Sequence, residues 1–124
     1  FGKTGNTQLS VMEVEGPDIA KYGVIVPSDC GKSISGLIEK PKPELAPSNL
    51  ASIGRYVLTP DIFKILADLP IGANSEIQLA DAINTQAQYG SVEAVKLNGA
   101  RFDCGSVEGF MLASAHEYTK RKSQ

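Results

Sequence analysis

Two short stretches carry the residues of this chain that could do chemistry. Glu39 and Lys40 close the apolar run Gly36-Leu37-Ile38 just before Pro41, and Asp103 stands in Phe102-Asp103-Cys104-Gly105-Ser106. Proline cannot donate to a strand ladder and disfavours the helical region for its predecessor, so Lys40 is expected to be extended at a strand exit. Adjacent strand residues face opposite ways, which lets the pair reach two parts of one ligand. A carboxylate accepts from hydroxyl groups, and an ammonium meets phosphate as a point charge. That is the chemistry of a sugar phosphate. Residue types alone also allow a solvated pair at a strand end. The proline and the position at the carboxyl end of an apolar strand, where open α/β sheets bind ligands, favour function. In that reading Lys40 offsets phosphate charge.

Asp103 has two readings as well. It can flank a helix start as a favourable acid, or it can hold magnesium, which prefers oxygen ligands and is commonly bound by one or two carboxylates plus substrate phosphates. Gly105 and Ser106 would bring backbone N–H groups close to an anion at the helix start. Cys104 is expected to pack, because no base stands near it in the sequence. Glu76 reads as a residue of a first helical turn, and His116 as a surface or half-buried helical histidine without a nucleophile beside it. Gly2-Lys3-Thr4-Gly5 lacks the spacing of a phosphate loop and any strand before it.

The elements that must position these residues follow from periodicity. Thr7 to Val14, Gly23 to Val26, Ser33 to Glu39, Leu50 to Leu58 and Val92 to Leu97 read as strands, with a hairpin across Ser28-Asp29-Cys30-Gly31-Lys32. The prolines Pro41, Pro43 and Pro47 make a stiff connector without PxxP spacing. Gly54 marks a bulge or a close approach. Thr59-Pro60-Asp61 is a helix start with a hydroxyl cap, followed by an apolar stripe at Ile62, Ile65, Leu66 and Leu69 that Pro70 and Gly72 end. Ser75 and Gln78 have capping-box spacing for a second helix, with Leu79, Ala82, Ile83 and Ala87 on one face before Tyr89-Gly90. Asn98-Gly99 predicts a two-residue hairpin that pairs Ala100 to Asp103 antiparallel with the preceding strand and delivers Asp103 to a sheet end. Ser106 should cap a last helix that packs through Phe110, Met111, Ala113 and Tyr118. Strands interleaved with helices predict an α/β fold, a mixed sheet with flanking helices.

At 124 residues the chain suits one domain, 1–124. With 12 basic and 14 acidic residues and a formal charge of −2, no nucleic-acid footprint is present. Lys120-Arg121-Lys122 complements a helix carboxyl end. Cys30 and Cys104 make neither a disulfide framework nor a zinc site, and no stretch is apolar enough to span a membrane. These features predict a cytoplasmic protein. A start at Phe1 suggests a piece of something longer.

The chain resembles the bacterial UTP:glucose-1-phosphate uridylyltransferases, also called UDP-glucose pyrophosphorylases, over nearly its whole length. The resemblance rests on Lys21-Tyr22-Gly23-Val24, Leu37-Ile38-Glu39-Lys40-Pro41, Ala46-Pro47-Ser48-Asn49-Leu50-Ala51, Ile53-Gly54-Arg55-Tyr56-Val57-Leu58, Glu76-Ile77-Gln78-Leu79 and Arg101-Phe102-Asp103-Cys104-Gly105-Ser106, in that order. It implies a Rossmann-like nucleotidyltransferase fold, of which this would be part, and a Mg2+-dependent reaction of UTP with glucose 1-phosphate giving UDP-glucose and pyrophosphate. By the same resemblance Glu39 binds glucose hydroxyls, Lys40 the sugar phosphate and acts in catalysis, Gly23 the sugar through its backbone, and Asp103 the magnesium. The matched residues correspond to the carboxyl-terminal half of that catalytic domain, without its glycine-rich nucleotide loop. Hence the 124 residues alone are expected to be inactive. Strand edges left unpaired by that half would favour a homo-oligomer. Two rivals stand beside this reading: another sugar-1-phosphate nucleotidyltransferase, thymidylyl or adenylyl, and a noncatalytic sugar-phosphate binding module.

Overall fold

A five-stranded mixed sheet forms the centre of the computed structural model, which describes residues 1–29, 31, 33–71 and 76–123. The strands are β1 (Thr7–Glu13), β2 (Gly23–Pro27), β3 (Ile34–Glu39), β4 (Leu50–Val57) and β5 (Val92–Lys96), in spatial order β3-β2-β4-β1-β5. The α-helices among the described residues are α1 (Ile62–Asp68), α2 (Leu79–Gln88) and α3 (Val107–Lys122), and short 3-10 helices cover Gly16–Lys21 and Pro43–Leu45. The α/β prediction holds: β1 runs parallel to β5, and β2–β3, β2–β4 and β1–β4 are antiparallel. The hairpin predicted before Glu39 is present, with Val24 opposite Ile38 and Gly23 opposite Glu39.

Strand alternation divides the apolar residues between two clusters. Leu9, Val11, Ile25 and Leu37 join Ile62 of α1 and Ala82, Ile83 and Ala87 of α2 in the main core. Val24 and Ala51 meet Ile19, Met12 and Tyr22 in a smaller cluster. Gly54 takes the bulge reading: the β1–β4 register jumps between Leu9 and Val11, Gly54 has φ of +73°, and a Cβ there would meet nothing within 4 Å.

Several local expectations need correction. Thr59 does not cap α1 with its hydroxyl; its carbonyl accepts from Ile62 N–H, while its Oγ1 takes the Gln86 Nε2 donor at 2.8 Å and lies 3.2 Å from Thr7 Oγ1. A buried polar knot takes the Thr59 hydroxyl in place of a local cap: Thr7 Oγ1 donates to Gln86 Oε1 at 2.9 Å, and Gln86 Nε2 donates both to Thr59 Oγ1 and, at 2.9 Å, to Asp61 Oδ2. Of the predicted α1 stripe Ile62 is buried, with Ile65, Leu66 and Leu69 packed at its margin. Ser75, Gly72 and Cys30 lie outside the described residues. Gln78 is itself the residue before α2 and makes no side-chain cap, so Glu76 precedes the helix and accepts from Gln78 Nε2 instead.

The larger correction concerns Asn98-Gly99. No strand forms over Ala100 to Asp103, and β5 pairs parallel with β1 alone. A type I′ turn needs both central residues at positive φ. Gly99 has φ of +151°, while Lys40 is the one non-glycine residue at positive φ among the described residues, so Asn98 does not enter that turn. Asp103 therefore arrives on an irregular segment. Ser106 does cap α3, accepting from Gly109 N–H at 3.1 Å. The predicted packed side of α3 is absent: none of its described residues is buried, and Phe110, Met111 and Tyr118 are exposed. Cys104, expected to pack, is an exposed free thiol.

Candidate functional site

The β2–β3 hairpin assembles Gly23, Glu39 and Lys40. Glu39 is the last residue of β3 and pairs with Gly23, the first of β2. The Glu39 carboxylate lies over the glycine: a Cβ on Gly23 would stand 2.9 Å from Glu39 Oε2 and 3.2 Å from Leu37 Cδ1. Glycine is thus set there by close approach, not by an unusual φ, and the carboxylate together with the Leu37 side chain covers a buried stretch of backbone.

Lys40 departs from its predicted extended form. Its φ is +45°, the left-handed region, although Pro41 follows. Its N–H donates to the Tyr22 carbonyl at 3.0 Å, which continues the β2–β3 pairing one residue past Glu39. Left-handed backbone at a residue other than glycine is costly, and persists where its surroundings over-determine it. Here the bond to Tyr22 holds the turn and leaves the Lys40 side chain exposed.

Asp103 belongs to a separate feature. Its Oδ1 accepts from Gly105 N–H at 3.0 Å, ahead of the Ser106 cap, and the residue is exposed. Gly109 passes so close that a Cβ there would collide with the Asp103 carbonyl oxygen. Among the described residues no hydrogen bond or ion pair joins Asp103 to Glu39 or Lys40, and no three His, Cys, Asp or Glu gather around a common point. The donor chemistry fits magnesium as one carboxylate ligand, with the remaining oxygens coming from phosphates and from outside this set. His116 is exposed, as expected of a helical histidine, with its ring 5.0 Å from that of Phe102.

Sequence reasoning passed over two residues that link these features. Arg101 Nη1 donates to Tyr22 Oη at 3.3 Å, and its guanidinium lies 5.3 Å from the centre of the Tyr22 ring. Their nearness in sequence to Gly23 and Asp103 was the available signal, but a contact across 79 positions leaves no periodic trace. Arg101 and Arg55 border a cavity of about 260 Å³ with Ile53, Leu97, Ala100 and Phe102. Two guanidinium groups give it a wall suited to an anion. A larger cavity of about 550 Å³ is edged by Glu15 and Glu44 and contains none of the candidate residues. Its carboxylates would repel a phosphate.

Residues 2–120 match the family model described as nucleotidyl transferase. The chain belongs to the nucleotidyl transferase family. A UTP–glucose-1-phosphate uridylyltransferase of Pseudomonas aeruginosa is 50% identical over 111 residues, covering 87% of this chain and 40% of the relative. A crystal structure of apo UDP-glucose pyrophosphorylase superposes with a TM-score of 0.85 at 46% identity, covering 97% of this chain and 45% of that one. A UDP-glucose pyrophosphorylase complexed with UDP-glucose gives 0.82 at 46% identity, covering 96% and 46%. The chain thus spans about 40% of the length of the curated relatives it matches. The mixed sheet with its flanking helices is the fold of these nucleotidyltransferase structures.

Proposed function

We propose that these residues form the sugar-phosphate side of a UTP:glucose-1-phosphate uridylyltransferase. The observation that carries the reading is the Glu39 carboxylate lying over Gly23 beside a left-handed, outward Lys40, in a chain whose relatives bear that name. Glu39 accepts glucose hydroxyls, Gly23, which carries no side chain, lets the ring approach its backbone once the covering Glu39 carboxylate turns to the sugar, and Lys40 neutralises the sugar phosphate. An oxygen of glucose 1-phosphate attacks the α-phosphorus of UTP in line, forming the new P–O bond as the bond to pyrophosphate breaks. Asp103 would hold Mg2+, which supplies positive charge to the phosphates. No side chain here is needed as a covalent nucleophile.

We read the matched stretch as the carboxyl-terminal half of the catalytic domain, since it holds the sugar-phosphate residues and no glycine-rich phosphate loop. The compartment we assign is the cytoplasm. In support, Cys104 is a free thiol and no helix among the described residues is long and apolar enough to cross a membrane. Homo-oligomer formation belongs to the same reading and draws support from the exposed Val107, Phe110, Met111 and Leu112 of α3.

The test is a protein extended to the length of the relatives and supplied with UTP, glucose 1-phosphate and Mg2+. UDP-glucose should form, and Lys40→Ala should lower the rate on the order of 10²-fold. Failure of the parent to form it from any of several nucleotide and hexose phosphate pairs overturns the reading. A preference for thymidine or adenosine nucleotides would shift it to a sister activity, and ligand binding without turnover to a noncatalytic module.

A further inference from the structure

We infer that the Tyr22–Arg101 contact is a positioning clasp that sets the segment carrying Asp103 against the Gly23–Glu39–Lys40 cluster. The inference rests on the sugar-phosphate reading for its functional meaning, and on geometry for its existence. Residues 98–123 have little else to hold them: no described residue of α3 is buried, and Ala100 to Asp103 joins no strand. Among the described residues the Arg101–Tyr22 bond is the one side-chain hydrogen bond from residues 98–123 to the rest of the chain.

Both ends of the clasp are tied to candidate site residues. On the sheet side, the Tyr22 carbonyl accepts the Lys40 N–H, and Gly23 follows Tyr22 directly. On the other side, Phe102 meets His116 of α3, and the Asp103 carbonyl fits against Gly109. Asp103, Phe102 and the start of α3 therefore move as one unit whose place relative to Lys40 is set where Arg101 touches Tyr22. The guanidinium supplies two attractions at once, a hydrogen bond to the hydroxyl and a charge over the ring face. Tyr22 and Arg101 are positioning residues; neither is assigned a contact with the reacting atoms.

The clasp is tested directly in this chain with a nitroxide on Cys104, in a Cys30→Ser background, reading the broadening of the Gly23 and Lys40 amide signals. Broadening should be present in the parent, be lost in Arg101→Gln, and be reduced in Tyr22→Phe, which keeps the ring and removes only the hydroxyl. Amide shifts of β1 and α2 should stay in place, which separates release of the clasp from unfolding. No broadening in the parent, or the same broadening in Arg101→Gln, overturns the inference.

A second readout uses the extended protein. Arg101→Gln should raise the Mg2+ concentration for half-maximal rate on the order of tenfold or more, and Arg101→Lys should recover part of the loss through the retained charge. Tyr22→Phe combined with Arg101→Gln should cost less than the sum of the two, because both break one interaction. Unchanged metal dependence or strict additivity counts against the clasp. An inactive parent counts against the uridylyltransferase reading instead, while the spin-label result still decides the clasp.

Discussion

Lys40 is held in a conformation that suits glycine better than lysine, with φ of +45°. Lys40→Gly should therefore raise stability by about 1 kcal/mol, read as a higher urea midpoint, while the extended protein loses affinity for glucose 1-phosphate. A stability loss in that variant would show that the turn is not strained. Gly23 makes the opposite case. Gly23→Ala should leave the fold intact, because the Glu39 carboxylate it displaces can swing away, but should raise KM for glucose 1-phosphate. Asp61 adds a pH dependence. Hydrogen bonds from Thr59 and then Gln86 hold its pKa below the ordinary carboxylate value. Its contribution is thus complete above the unfolded-state pKa and disappears as pH falls through the lower folded one. Asp61→Asn should narrow the stability difference between about pH 7 and about pH 2, measured by urea midpoints; an unchanged difference would remove Asp61 from acid sensitivity.

At the scale of elements, the exposed rim of β3 is closed by a side chain of α2. Asn84 Oδ1 accepts from Leu37 N–H at 2.6 Å, and its Nδ2 donates to Leu37 C=O at 3.0 Å, which mimics one rung of a further strand. Unpaired edge groups invite pairing with another chain. Asn84→Ala should cost about 1–3 kcal/mol and increase self-association, seen by denaturant titration and light scattering; a variant that matches the parent in both would refute the edge role. The strands were readable because their apolar residues alternate against a core, as in β1, where Thr7, Leu9 and Val11 are buried. The Asn98-Gly99 hairpin misled because turn chemistry is local, whereas β5 found its partner in β1, whose residues lie far away in sequence. Asn84 and Gln86 were equally hidden, since a polar residue on a helix face has no pattern that names its partner.

Across the whole molecule, order is uneven. The sheet with α1 and α2 surrounds a continuous core, whereas α3 leaves Val107, Phe110, Met111 and Leu112 exposed. Burial of such a surface by a second copy would be favourable at about 25 cal/mol per Å². Light scattering of the extended protein should then show a concentration-dependent dimer, and Phe110→Ser with Met111→Ser should weaken it. A strictly monomeric parent at high concentration removes that expectation.

By itself the sequence determined five of the six expected strands, the helix segments, the mixed sheet and the identity of Gly23, Glu39, Lys40 and Asp103 as candidates, because periodicity, side-chain chemistry and family resemblance all reside in residue order. Tertiary structure decided how they sit: the carboxylate over Gly23, the left-handed backbone of Lys40, the irregular path to Asp103 and the Tyr22–Arg101 contact. Those depend on free-energy competition between distant groups, in which a long-range partner overrides the local preference of a proline, a cap or an Asn-Gly turn.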